Sequence, residues 1–276
     1  MTAAVSHALV AITAAERRKL PVPNAVLETA AVRGAVFQTI QQPDPERPAL
    51  PDTAAGVEEA IRDYAATLHT LDLTRRAASR FQEEADARFV QAVKAAVPDW
   101  IAGLQKEFAT LVGVVAKAAE KLPESLDLID PRRMNWANPS HMAAYTKAEG
   151  AVVQLEQLVA DRADIVKVAG GDGGKDNALF AVAALPEPTT ERVMAKDWKQ
   201  LSPTLTQWRE LKQQPVARWV YLVRQGELAL SLATPGEVRQ RSIQVERWRE
   251  AGLHAMAGHT RTGGQHAVQT YLASTA

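Results

Sequence analysis

The chain has 276 residues, enough for one large domain or two ordinary ones, and 46% of them are apolar, ample for a buried core. Its 32 lysines and arginines balance its 32 aspartates and glutamates, which disfavours a general binder of nucleic acid or anionic membrane and leaves only local basic patches open. Cysteine is absent, so disulfides, thiolate metal sites and a cysteine nucleophile are excluded, and a reducing compartment fits.

Residues 2–15 are apolar and alanine-rich. No basic segment precedes them, Arg17, Arg18 and Lys19 follow, and the run is too short to span a bilayer. They predict a short amphipathic helix with Val5, Leu9 and Ile12 on one face, in a soluble cytoplasmic protein with no membrane partner. After Pro21 and Pro23 a second helix is expected over 24–42, with Val26, Ala30, Gly34 and Phe37 on one side and Arg33 weakening the stripe. Four prolines between 43 and 51 make a stiff connector that could turn this helix back onto the first heptads of the next.

The most specific stretch follows. Residues 53–122 read as one helix with a single internal proline, roughly 100 Å long if unbroken. Val57, Ile61, Tyr64, Leu68 and Leu71 alternate spacings of four and three, the seam of a coiled coil. From Phe81 the stripe continues through Ala85, Phe89, Val93, Ala96, Trp100, Leu104, Phe108, Leu111 and Val115, with steps nearer four, so a regular supercoil is not expected throughout and the two halves should face different partners. Glu58 with Arg62, and Glu84 with Arg80 and Arg88, sit four apart on the outer face. Pro98 should kink the helix rather than start a new one, because Val97 is a poor cap. Alanines such as Ala77, Ala78, Ala92 and Ala95 would let another helix approach closely.

Residues 123–138 lack periodicity, and then Asn138 caps and Pro139 opens a helix to about Ala163, with Met142, Tyr145, Val152, Leu155, Val159 and Ala163 on one stripe. It is the natural antiparallel partner for the second half of the long helix. From Ile165 the pattern changes: a β-branched run to Ala169, a glycine-rich loop over 170–177 and an apolar run over 178–185 suggest a hairpin. Helix is expected over 190–214, divided at Pro203 with Ser202 as cap. Trp219, Tyr221 and Val223, a turn at Gln225 and Gly226, and Leu228, Leu230 and Leu232 suggest a second hairpin. A helix over 216–233 is the competitor, disfavoured by Gly226 in its middle. A last helix should span 237–257, and the polar tail 258–276 should be a flexible or docking arm. The expected fold is thus mainly α: an elongated helical bundle or coiled coil over 1–164 around one very long helix, then a smaller α+β domain over 165–257 with two hairpins.

Chemical motifs are few. Gly170 to Lys175 resembles a phosphate loop but is one residue short of GxxxxGK[ST], with Asp176 where a hydroxyl is needed, so a mobile hairpin tip is the better account. His254, His259 and His266 have the wrong spacing for a helical metal site and no carboxylate between them. Tyr145 and Glu149 have the YxxxE spacing of some secretion signals without the tryptophan-glycine turn that accompanies it. No catalytic, cofactor or metal residue is assigned. The candidate interaction residues are Trp136, placed in a loop, and Arg239, Arg241, Arg247, Trp248 and Arg249 in the last helix, where Glu237, Glu246 and Glu250 interleave and favour an ion-paired solvated face.

These features favour a non-enzymatic structural, assembly or scaffold protein acting through helical contacts with a protein partner or itself, since a long apolar seam is costly to leave uncovered. A ligand-binding or enzymatic module in the C-terminal part is the alternative. A nucleic-acid factor using the basic last helix comes third, and the neutral charge argues against it. In its alanine-rich, cysteine-free composition the chain resembles proteins of high-GC bacteria and their phages.

Overall fold

The computed structural model describes residues 2–173, 177–196, 198–258 and 260–274, and the chain divides into two compact units, Met1–Ala96 and Val97–Ala276. The division falls inside one helix and beside Pro98, whereas Ile165, where a boundary was expected, lies within a helix of the second unit.

In the first unit α1 (Ala3–Arg17) begins at Thr2, whose hydroxyl accepts from the Val5 amide. Its buried face is Val5, Ala8, Ala11 and Ala15, and Leu9 is left exposed, in place of the expected stripe of Val5, Leu9 and Ile12. The physical reason is that an alanine face brings backbones close, so main-chain atoms make the contacts a larger side chain would otherwise supply. The second helix, α2 (Asn24–Ile40), starts after Pro23, and only Val26 on it is fully buried, while Phe37 on the same expected side is exposed. Arg33 supplies the contact instead, reaching Asp86 at 2.7 Å and lying 5.7 Å from the Phe89 ring centre.

The long helix, α3 (Ala54–Ala119), has 66 residues and continues through Pro98. Of the stripe expected from Phe81 to Val115, Phe81 is exposed and every position from Ala85 onward is buried. In its first heptads Leu71 is buried, Val57, Tyr64 and Leu68 are half-buried and Ile61 is exposed. The connector runs beside them, with Tyr64 donating to the Pro45 carbonyl at 3.3 Å and Arg75 to Gln42 and Asp44, yet Ile61 remains 63% exposed. An extended, proline-rich segment offers carbonyls and few apolar side chains, so it binds this stretch without burying it.

In the second unit α4 (Pro139–Val166) begins as its sequence implies, the Asn138 side chain accepting from the amides of Ser140 and His141. Tyr145, Val152 and Leu155 of the expected stripe are buried, while Met142 is exposed. Then come α5 (Asn177–Phe180), β1 (Ala183–Ala184), α6 (Thr190–Met194), α7 (Trp198–Glu210), α8 (Pro215–Arg224), β2 (Ala229–Leu230), α9 (Pro235–Ala257) and α10 (Arg261–Ser274). Neither expected hairpin forms. Residues 165–169 complete α4 and a 3-10 turn, and 215–224 is helical, with Pro215 in its first turn and Val216, Trp219 and Val220 buried. A ten-residue apolar segment fits either period, and this helix stops before Gly226, so the glycine never enters it. What remains of the sheet is one antiparallel pair, Ala183 with Leu230 and Ala184 with Ala229, joining runs expected in separate hairpins. Pro203 lies inside α7 instead of dividing it.

The tail is likewise a helix, α10, packed on α9 and α6. Its glycines make the contact possible: a Cβ on Gly264 would sit 2.6 Å from the Ala255 carbonyl oxygen. In sequence they read as flexibility, and in the fold they serve as clearance.

Candidate interaction surfaces

The seam Val57, Ile61, Tyr64, Leu68 and Leu71 lies on one stripe of α3, with Leu71 buried, three members half-buried and Ile61 exposed. Leu73 and Phe81 further along α3, Leu27 and Val32 on α2 and Leu50 in the connector are also exposed. Single exposed apolar residues are ordinary, but a heptad-spaced row on a long helix has the form of a helix-binding surface.

Trp136 is 44% exposed. Its indole N–H donates to the Pro131 carbonyl at 2.9 Å, and its ring meets Tyr145 edge-to-face at 5.4 Å. Tyr145 and Glu149, one turn apart on α4, line an open cleft of about 470 Å³ with Asp130, Arg132, Gln213 and Gln214. Burial, and then the nearby carboxylates of Glu149 and Asp130, push the Tyr145 hydroxyl above its ordinary pKa. The hydroxyl is therefore held as a neutral hydrogen-bonding group and is poorly suited to act as a base at neutral pH.

The α9 residues do not form one surface. Arg241 points inward, donating to the Phe180 and Ser231 carbonyls at 2.8 and 3.0 Å and to the Ser231 hydroxyl at 2.6 Å. Burial, with a smaller contribution from the positive charge of Arg162, lowers its pKa, although Glu237 acts in the opposite direction. Trp248 is fully buried and donates to the Pro186 carbonyl, so it is an anchor of the core and not a contact point. Arg247 lies 3.6 Å from Glu187, and Arg249 pairs with Glu246. Arg239 is exposed without an ion pair among the described residues. A phosphate backbone needs several free cations along one track, and these four arginines do not supply it.

Comparison with family models, curated proteins and solved structures finds no match to this chain. What the protein can do is therefore argued from its own surfaces.

The glycine loop is pinned at its first half. Gly170 and Gly171 adopt left-handed φ values of 93° and 68°, and Asp172 receives two hydrogen bonds, at 2.5 and 2.8 Å, from Arg162, which is almost completely buried and also donates to the Ala233 carbonyl. A mobile hairpin tip is thus corrected for 170–173, while Gly174, Lys175 and Asp176 lie outside the described residues. Sequence reasoning missed Arg162, although its signal was there: Leu155, Leu158, Arg162 and Ile165 follow the spacing of three, four and three, with a charge on an apolar stripe. The His254 ring stacks on Tyr271 with centres 4.8 Å apart, and His259 lies outside the described residues. Among the described residues no three of His, Asp and Glu converge as metal ligands would.

Proposed function

We propose that this protein is a structural or assembly component that acts by pairing helices, and that the first heptads of α3 pair with those of a second copy. The observation that carries this reading is the contrast along one helix: the stripe from Ala85 onward is covered, while Ile61, the second position of a seam with coiled-coil spacing, is 63% exposed. Pairing two such seams buries apolar surface at about 25 cal/mol per Å², which is the driving force for helical association in water. Two heptads alone make a weak pair, so the association expected is one that depends on protein concentration.

Light scattering on the full chain at moderate and high salt tests it. The expected result is a stable multiple of 30.0 kDa that persists at high salt, since the contact is apolar, and that Ile61→Asp returns to the single-chain mass. A single-chain mass at every concentration and salt overturns pairing between copies.

A further inference from the structure

Between α6, the start of α7 and α9 lies a cleft of about 470 Å³, within the roughly 300–1,000 Å³ range of small-molecule sites. Trp248 contributes an aromatic wall that is itself buried, with its only N–H already donated to Pro186, so it offers no unmet polar group. Trp198 stacks on Trp248 with ring centres 6.3 Å apart and planes 23° from parallel. Val193 and Met194 complete the apolar lining from the α6 side. On the α9 side Leu253 and Met256 line the same cleft and are respectively 60% and 75% exposed. Methionine adapts readily to ligands of different outline, which suits it to such a wall.

The polar lining is one-sided in charge. Lys196, Lys199 and Arg249 line the cleft, and no carboxylate does so among the described residues, although the chain as a whole is neutral. Arg249 is paired to Glu246, whereas neither lysine makes an ion pair among the described residues. Their placement is set by the backbone. Lys196 holds a φ of 66°, uncommon for any residue but glycine, its amide donates to the Val193 carbonyl at 3.1 Å, and its carbonyl accepts from the Lys199 amide at 2.9 Å. Two ammonium groups without an ion pair among the described residues, beside aromatic and thioether walls, disfavour a cationic guest. A small hydrated anion such as inorganic phosphate would leave the apolar walls unused. The complement is a molecule with both parts.

We propose that this cleft binds a lipophilic carboxylate, with its hydrocarbon or aryl portion against Trp198, Leu253 and Met256 and its carboxylate at Lys196 and Lys199, while Trp248 backs Trp198 from within the core. Fluorescence of 1-anilinonaphthalene-8-sulfonate, titrated onto the full chain and displaced with decanoate, is the test, with N-phenyl-1-naphthylamine as the uncharged probe. The expected result is one saturable site per chain from which decanoate displaces the sulfonate at least about tenfold better than 1-decanol, a difference of about 1.4 kcal/mol for the charge. Lys196→Glu with Lys199→Glu should lower decanoate affinity by about tenfold or more and leave the uncharged probe nearly unaffected, since charge-assisted contacts act on the anion alone. Leu253→Asp should weaken both probes. All three side chains are exposed, so these variants should keep the parent circular dichroism and melting transition. Non-saturable fluorescence, equal displacement by decanol, or binding that survives both the lysine and the Leu253 changes overturns the proposal.

Discussion

The two units bury different kinds of residue. In Met1–Ala96 the interior is built largely from alanines and single aliphatic residues, with Ala8, Ala11 and Ala15 of α1 and Ala78 and Ala85 of α3 inside, while Leu27, Phe37, Leu50, Ile61 and Phe81 stand in water. In Val97–Ala276 the interior holds Trp100, Trp208, Trp219 and Trp248, although Val153, Leu253 and Met256 stand exposed there too. Trp219 sits at zero exposure, edge-to-face with Phe108 and Trp208, and donates to Glu156 at 2.5 Å. Arg224 donates to the carbonyls of Ala119, Leu122, Pro123 and Glu124, closing the end of α3 and the turn after it. Burying one large apolar side chain contributes about 1.5–3 kcal/mol, so the first unit forgoes several such contributions that the second has taken.

The comparison is broken most severely at Trp219. Trp219→Ala should cost about 3–5 kcal/mol, since it opens a cavity and leaves Glu156 with Arg218 as its remaining partner, and guanidinium denaturation followed by far-ultraviolet circular dichroism would read the loss. A destabilisation below 1 kcal/mol would mean that the aromatic cluster does not organise the second unit. Next comes Arg162→Met, which removes the bidentate pair with Asp172 and the donor to the Ala233 carbonyl and should cost roughly 3 kcal/mol, with hydrogen exchange rising at 170–173. Adding Asp172→Asn should recover part of that loss.

In the first unit the sensitive change is one that adds volume. Ala11→Leu, at a site with no exposed surface, should cost about 1–3 kcal/mol through overpacking and raise hydrogen exchange across α1. By contrast Ile61→Asp should change the stability of the single chain by no more than about 0.5 kcal/mol and act on association alone. The smallest expected effect is at Tyr145. Its hydroxyl pKa is raised from 10.0 in the folded chain, first by burial and then by Glu149 and Asp130, so the protonated form is the one the fold favours. That contribution is complete below the unfolded value and is lost as pH rises through the folded one. The melting midpoint should therefore fall more steeply above about pH 10 in the parent than in Tyr145→Phe, and parallel curves would refute the assignment.

Local chemistry made much of this fold legible. Asn138 followed by Pro139 marks the start of α4, and the absence of any strong breaker but Pro98 marks the extent of α3, because caps and proline act within one turn of where they stand. The buried stripe from Ala85 to Val115 was equally plain, being long enough for its period to be unambiguous. The candidate surfaces were less so. Of the residues singled out in α9, Trp248 and Arg241 turn inward, and an aromatic or arginine in a mixed sequence carries no mark of the side it will face.

The sequence by itself determined where α2 and α4 begin, how far α3 runs and which of its positions fall at heptad spacing, since each depends on residues within a turn or two of one another. Tertiary structure alone decided that α1 buries alanines and exposes Leu9, that 215–224 is helix, that β1 pairs with β2 and that 261–274 folds onto α9. In each of these the two outcomes satisfy the local pattern about equally. What chooses between them is the surface that arrives from a distant part of the chain, and the clearance, as at Gly264, with which it can be met.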